Sequence, residues 1–147
     1  MGKVASVRDA SGFRHLNDGY YYRPLVAGKE LFTYVAHVPA QGYMPPDAEE
    51  AKEFELSLFM IDGELTIILD ADEFVARPGD AVHIPRGVGF GVRNHTQRSA
   101  SLVLSFAPPP RTGTIEERLA EARARGRQIL EPKDFEEIIG ATVFPLR

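Results

Sequence analysis

The chain has 147 residues, no cysteine and a formal net charge of -4, with 44% hydrophobic and 26% charged residues. This length and composition fit one soluble globular domain, and the acidic balance disfavours a nucleic-acid partner, which selects for a basic stripe. The lack of cysteine excludes disulfides and thiolate metal sites. No apolar run approaches about 18 residues, and the start of the chain lacks the apolar core of a signal peptide, so we expect no membrane partner and a cytoplasmic protein.

The first part of the chain contains two strand-like segments between polar stretches. Residues 1–18 are polar and mixed, and we expect an irregular arm in which His15 is solvated. Tyr20–Val26 and Leu31–Val38 are rich in aromatic and β-branched residues, and the break between them has the length of a hairpin turn. The stretch 39–53 contains proline and glycine and becomes acidic, which predicts a loop.

Asp62-Gly63 is the strongest short hairpin signal in the sequence, because both residue types tolerate the positive φ of a tight turn. We therefore predict that the flanking segments, Phe54–Ile61 and Glu64–Leu69, form paired strands. Shorter strand segments with turn residues between them follow. These are Glu73–Ala76, Ala81–Ile84, Val88–Asn94 and Ser99–Phe106. Many short strands at this spacing indicate an all-β sandwich or barrel.

The end of the chain has a different pattern from the strand region. Within a single domain of residues 1–147, we expect a barrel core at about 19–107 and a helical tail at about 108–147. The tail begins with three prolines, which cannot extend a strand ladder. A capping box at Thr114 predicts a helix that ends near Arg125, and Pro132 at a first-turn position predicts a second short helix.

One segment of the strand region has a specific spacing. Gly79 is followed by five residues, then by Pro85-Arg86-Gly87, two residues, Phe90, three residues and Asn94. This arrangement resembles the second motif of the cupin family, in which a histidine stands at the position of Phe90. The glycines and the proline of such a segment suit sharp turns between short strands.

The loop before Phe54 resembles the first cupin motif, which carries two metal-binding histidines one residue apart. Counting from Gly42 places Ala48 and Glu50 at these two positions, and a shift of one residue places Asp47 and Glu49 there. Neither register supplies a histidine. The resemblance therefore includes the loop but not its metal ligands.

A third metal ligand of the motif is a glutamate seven residues before the hairpin glycine, and Leu56 occupies that position relative to Gly63. The metal centre that the resemblance implies has three histidines and one glutamate. Leu56 and Phe90 have no lone pair to donate, so we expect no metal of this kind and no cofactor. A rearranged site is the alternative, and its candidate donors are Asp47, Glu49, Glu53, Glu55, His37 and His83.

The resemblance covers residues 25–107 well, and the tail is loosely similar to that of small quercetin-dioxygenase-like cupins. It implies a jelly roll of two antiparallel sheets with a ligand cavity between them, in a protein that is usually a dimer. We therefore expect a homodimer. Aromatic residues that we place on an outer face, among them Tyr20, Tyr22 and Phe59, favour contact with a partner sheet.

Strand alternation predicts an apolar centre for the barrel. The expected pocket residues are Tyr34, Leu56, Leu58, Met60, Phe90 and Val92. We predict that the protein binds a small apolar or aromatic organic molecule there without the usual cupin metal. The alternatives are a dioxygenase-like metal enzyme with displaced ligands and a non-catalytic dimeric module with a filled barrel.

If the protein is a metal-independent isomerase, lyase or cyclase, it requires a general acid or base. His37 and His83 are the candidate catalytic residues, because both lie in predicted strands and an imidazole titrates near neutral pH. We expect at least one of them to be buried and to line the barrel. The apolar residues on both sides of each histidine do not indicate which one.

Overall fold

A computed structural model of the protein describes residues 2–15, 19–47, 49–140 and 143–144. The strands in this part of the chain are β1 Gly12–Arg14, β2 Tyr21–Ala27, β3 Phe32–Val38, β4 Tyr43–Met44, β5 Glu55–Asp62, β6 Leu65–Leu69, β7 Asp72–Ala76, β8 Ala81–Ile84, β9 Phe90–Arg93, β10 Ala100–Ala107 and β11 Ile129–Leu130. They form a larger sheet in the order β11-β1-β2-β3-β10-β5-β8 and a smaller sheet in the order β4-β9-β6-β7. The core lies between the sheets, which form an all-β sandwich of the jelly-roll type, as predicted.

The alternation of apolar and other residues along β5 places one face of the strand in the core, as predicted. Leu56, Leu58 and Met60 are buried between the sheets, whereas Phe59 is 48% exposed on the outer face. Burying each apolar side chain of this size contributes about 1.5–3 kcal/mol to stability. Because alternate positions of β5 have opposite character, a shift of its register by one residue would expose the whole apolar face.

Tyr20 and Tyr22 do not lie on an outer face, so that prediction is wrong. The Tyr20 side chain is fully buried in the core, and Tyr22 packs against it with ring centroids 4.7 Å apart. β2 and β3 form the predicted hairpin, in which Tyr22 pairs with Ala36. Since the Ala36 side of β3 faces the core, Tyr22 also points inward.

Asp62-Gly63 does not form a hairpin, contrary to our prediction. β5 pairs with β10 and β8 in the larger sheet, whereas β6 pairs with β7 and β9 in the smaller one. Gly63 has a φ of 76°, and a Cβ atom there would lie 2.8 Å from the Cα of Ala100, so the chain needs glycine to pass between the sheets. The local signal specifies the turn but not the partner of each strand, which depends on packing across the sandwich.

Residues of the second motif hold strand ends together. The buried side-chain amide of Asn94 donates hydrogen bonds to the carbonyl oxygens of Val38 and Arg98, at 2.9 Å and 2.8 Å. Gly91 provides the close backbone approach that glycine permits, because a Cβ atom there would lie 2.6 Å from the carbonyl oxygen of Met44. The motif therefore ties β9 to the ends of β3 and β4.

The N-terminal arm contains a strand, although we expected irregular structure. In β1, Phe13 pairs with Tyr22 of β2 on one side, and Gly12 pairs with Leu130 of β11 on the other. A three-residue strand is too short to produce a periodic pattern, and its partner β11 lies near the other end of the chain. Residues 16–18 of the arm are outside the described part.

The tail forms the two predicted helices, α1 Ile115–Ala124 and α2 Pro132–Ile139. The Thr114 side chain caps α1 by accepting a hydrogen bond from the Glu117 amide, as its capping box predicts. Phe135 of α2 is fully buried against the outer face of the larger sheet. Neither helix has the length and apolar character needed to span a membrane, and the described residues contain no other candidate.

Candidate functional site

The space between the sheets is open near the beginning of β5. A cavity of about 390 Å³ lies there, and we call it the inner compartment. Its walls are mainly apolar, and both sheets contribute to them. The larger sheet supplies Tyr34, Leu56, Ile84 and Phe106, and the smaller sheet supplies Met44 and Phe90. This volume is within the range of small-molecule sites, and so the barrel is not completely filled.

The expected pocket residues divide into two groups. Tyr34, Leu56 and Phe90 line the inner compartment. Leu58, Met60 and Val92 lie on the same inward faces, but they are fully buried in the closed part of the core and do not line the compartment. Three of the six expected residues therefore lie at the cavity and three lie deeper in the core, because alternation identifies a face but not how far a cavity extends along it.

His83 lies on the outer face of the larger sheet, where it cannot act in the inner compartment. Its side chain is 65% exposed, and its Nε2 atom lies 2.9 Å from a carboxylate oxygen of Glu55. Glu55 precedes the core residue Leu56 in β5, and His83 precedes the core residue Ile84 in β8. Both side chains therefore point away from the core. His83 is therefore not the buried, barrel-lining residue that we expected at least one of the two histidines to be.

His37 is buried, as we expected of at least one histidine, but it does not line the barrel. It lies beneath α2, where its Nδ1 atom is 2.8 Å from the Ser101 hydroxyl oxygen and its ring centroid is 5.5 Å from that of Phe135. Burial, and secondarily the charge of Arg23, lowers the pKa of His37 to about 3. His37 is therefore a neutral structural residue at physiological pH. Since β3 is buried on both faces, alternation alone could not place it.

A second cavity of about 440 Å³ adjoins the inner compartment, and we call it the outer compartment. The two share six lining residues, which are His15, Tyr22, Tyr34, Asp47, Glu50 and Phe106. The other lining residues of the outer compartment are Phe13 in the arm, Pro24, Phe32 and Pro110, and the three arginines near α1, which are Arg111, Arg118 and Arg127. The site is therefore apolar on the inside and charged at its mouth.

Two ionisable groups at the boundary between the compartments have shifted pKa values. Partial burial, and then the charge of Asp47, raises the pKa of Glu50. Partial burial, and then the charge of Arg127, lowers the pKa of His15. His15 is half-buried, and so the expectation that it is solvated is wrong. Shifts in these opposite directions bring the titration range of the carboxyl and that of the imidazole closer together.

Comparison with known proteins identifies the fold of the domain. No curated protein sequence matches the chain, but residues 34–106 match the family model of the cupin domain. The chain folds as a small cupin domain. The match begins in β3 and ends in β10, so it covers the strands that bear both motifs of this cupin.

Solved structures of other cupins share the fold at low sequence identity. An RmlC-like cupin from Methanocaldococcus jannaschii with a double-stranded β-helix fold is 21% identical, with a TM-score of 0.58 over 75% of this chain and 94% of that one. An RmlC-like cupin from Shewanella frigidimarina is 19% identical, with a TM-score of 0.57 over 65% and 82%. KdgF from Halomonas sp. is 14% identical, with a TM-score of 0.58 over 65% and 84%. These similarities show the fold alone.

The residues of this chain do not fit the metal centre that the cupin motifs carry. Leu56 and Phe90 line the inner compartment at two positions where the motifs carry ligands, and neither has a donor atom. Asp47 and Glu49 lie at the rim, where Asp47 accepts a hydrogen bond from the Glu49 amide. Ala48 is outside the described residues. Among those described, no group of three or more His, Cys, Asp or Glu side chains is placed to hold a metal ion.

The other donors that we considered for a rearranged metal site are dispersed. Glu55 and His83 pair on the outer face, and His37 lies beneath α2. Glu53 is exposed and lines neither compartment. The structure therefore does not bring these side chains together.

Sequence reasoning missed the residues at the mouth of the site. Glu50 lies in a loop that we considered only for metal binding, and Arg111, Arg118 and Arg127 belong to a tail without any family motif. The sequence does contain one indication of a charged surface there, because arginines cluster on both sides of the α1 capping box at Thr114. The pairing of β1 with β11 and the contact of Arg118 with Phe32 show that this region returns to the sheet.

Proposed function

We propose that this cupin binds a small apolar or aromatic organic molecule in the inner compartment, without the metal that is common in its family. The observation that supports this proposal is a cavity of about 390 Å³ lined by Phe54, Phe90, Phe106 and aliphatic side chains. Apolar ligand surface buried there would contribute about 25 cal/mol per Å² before the cost of association. The open volume also disfavours the alternative of a module with a filled barrel.

Thermal unfolding with neutral aromatic probes tests this proposal. We expect indole or 3-phenylpropan-1-ol to raise the Tm of the parent protein, because a ligand that binds only the folded state stabilises it. Leu56→Phe extends a larger side chain into the inner compartment and should abolish the shift. Leu31→Phe is the control, since Leu31 is exposed and lines neither compartment. If no probe shifts the Tm of the parent, the proposal is wrong.

Metal analysis tests the second part of the proposal. We expect well under stoichiometric iron, manganese, nickel, copper or zinc in the purified protein, and no change of Tm with a chelator. Phe90→His alone should not create a metal site, because Leu56 and the loop still lack the other ligands. Near-stoichiometric metal that survives dialysis, with a large fall in Tm on chelation, would instead favour the dioxygenase-like enzyme with displaced ligands.

A second candidate function is acid–base catalysis of the isomerase, lyase or cyclase type. The observation that favours it is the presence of Glu50 and His15 at the boundary of the two compartments, with opposite pKa shifts. They replace His37 and His83 as candidate catalytic residues. NMR in D₂O of a ligand that co-purifies with the protein would test it. Deuterium exchange at a ligand carbon should occur with the parent and be lost in Glu50→Gln.

We also propose that the protein is a homodimer, which is usual in the family. Of the aromatic residues that we placed on an outer face, Phe59 is the one that is exposed there, on β5. Light scattering at micromolar concentration should give a mass of two chains, and Phe59→Ser should lower it. A mass of one chain for the parent would contradict this proposal.

A further inference from the structure

One wall of the outer compartment is lined by three arginines, Arg111, Arg118 and Arg127. Arg111 has a counterion, because it forms an ion pair with Glu121. Arg118 donates a hydrogen bond to the carbonyl oxygen of Arg111, which is a neutral acceptor. This wall therefore carries more positive charge than its local ion pair neutralises.

Arg118 and Arg127 have unused capacity to donate hydrogen bonds. The Nε atoms of both residues are buried without an acceptor among the described residues. Among the described residues, no carboxylate lies at ion-pair distance from the guanidinium of Arg118 or of Arg127. Burial, and then the positive charge of Arg111, lowers the pKa of Arg118, while burial is also the main cause of the lowered pKa of Arg127. A nearby negative charge would relieve both effects.

Aromatic rings hold these two side chains in place. The Arg118 guanidinium lies 3.8 Å from the centroid of the Phe32 ring, and that of Arg127 lies 5.7 Å from the centroid of Phe13. Such stacking restricts the rotamers of arginine, while the edge of the guanidinium keeps its donors for a planar anion. Less conformational entropy is then lost when an anion binds.

We propose that the ligand of the inner compartment carries one carboxylate, which Arg118 and Arg127 bind in the outer compartment. This assignment rests on the proposed function, because it requires that the apolar part of the same ligand occupies the inner compartment. Asp47 and Glu50 also line the outer compartment and repel additional negative charge. The site therefore favours a carboxylate with a single charge over a dianion such as a phosphate monoester.

Calorimetric titration with matched probes tests the assignment. The probes are 3-phenylpropanoate, the neutral 3-phenylpropan-1-ol with the same apolar body, and phenyl phosphate. We expect 3-phenylpropanoate to bind the parent protein at least about 10-fold more tightly than the alcohol, since hydrogen bonds between charged groups are the stronger kind. Added salt should reduce this difference, and phenyl phosphate should bind less tightly than the carboxylate.

Variants at the mouth separate the assignment from the proposed function. Arg127→Gln should reduce the ratio of carboxylate affinity to alcohol affinity by about 10-fold or more. Arg127→Lys should retain part of the preference, and it replaces Arg127→Gln if that variant does not fold. Arg123→Gln is the control, because Arg123 is exposed on α1 and lines neither compartment.

The outcomes are distinguishable. Equal affinity of the parent for the carboxylate and the alcohol would overturn the assignment while the proposed function stands. Tighter binding of phenyl phosphate than of 3-phenylpropanoate would also overturn it. If the parent binds none of the three probes, the proposed function fails and the assignment fails with it.

Discussion

The inner and outer compartments share a boundary but differ in how they are built. Strands of both sheets line the inner compartment together with the acidic loop, and the alternating apolar residues of these strands would be buried in any sandwich of this kind. The outer compartment is also lined by β2, β3 and β10, but its charged side chains come from the arm, the acidic loop and the tail. We therefore expect substitutions in the inner wall to reduce stability as well as binding, and substitutions of the charged residues at the mouth to reduce binding with little effect on stability.

The largest effect that we expect from this comparison is on stability. Leu56→Ala should lower the free energy of unfolding by about 2–5 kcal/mol, because it removes buried apolar surface and enlarges the cavity. Leu31→Ala is the matched control on an exposed leucine and should change it by no more than about 0.5 kcal/mol. Urea unfolding measures both. Equal losses in the two variants would show that the inner wall is no more important to the fold than the surface.

His37 should affect stability without affecting binding, because it is buried outside both compartments. Its pKa is about 3 in the folded protein and 6.5 in the reference state, so the unfolded chain binds more protons between these values. Stability therefore falls as the pH decreases from 6.5 toward 3, by roughly 3 kcal/mol at pH 4 from this residue. His37→Gln should remove that part of the decrease.

Urea unfolding of the parent and of His37→Gln at pH 7 and pH 4 measures the effect of His37. The matched observation is binding of 3-phenylpropan-1-ol at pH 7, which should be the same for both proteins. If the two proteins lose the same stability on acidification, burial does not lower the pKa of His37 in the folded protein.

Substitutions at the mouth of the site should change binding but have little effect on stability. Arg127→Gln should change the free energy of unfolding by less than about 1 kcal/mol, since the guanidinium is desolvated without a carboxylate partner in the described residues. Chemical unfolding at neutral pH checks this, with Arg123→Gln as the reference for an exposed arginine. A loss comparable to that of Leu56→Ala would show that the outer wall also stabilises the fold.

Glu50 provides the smallest expected effect. Its pKa is raised, and as the pH rises through that value the residue becomes negatively charged and repels a bound carboxylate. The affinity for 3-phenylpropanoate should therefore weaken a few-fold across this titration. Glu50→Gln should bind the probe more tightly and lack this pH dependence. An unchanged pH profile in the variant would mean that another group titrates.

The sequence allowed most of the sandwich to be predicted. The strict alternation of β5 places Leu56 inward, and the spacing from Gly79 to Asn94 identifies the cupin motif and its turns. The α1 cap at Thr114 was also predictable. These features depend on short stretches of chain, in which periodicity and turn chemistry determine the structure.

The remaining features depend on contacts between distant parts of the chain. Asp62-Gly63 makes a turn whose strands lie in different sheets, and the face of β3 that bears His37 is covered by α2. The outer compartment requires residues from both chain ends, and no local pattern shows that Arg127 approaches His15. The apolar part of the site was therefore predictable, whereas its charged part was not.

The pairing of β1 with β11 also determines which part of the protein opens first. The hydroxyl of Ser11 donates to the Glu131 carboxylate across 120 positions of sequence, so this edge closes a very long loop by way of two short strands. Such an edge has few backbone hydrogen bonds between its strands to compensate the entropy lost when the loop closes. Local opening concentrates in regions of this kind. We expect the amides of β1 and β11 to exchange with deuterium faster than those of β10, and an occupied site to slow their exchange.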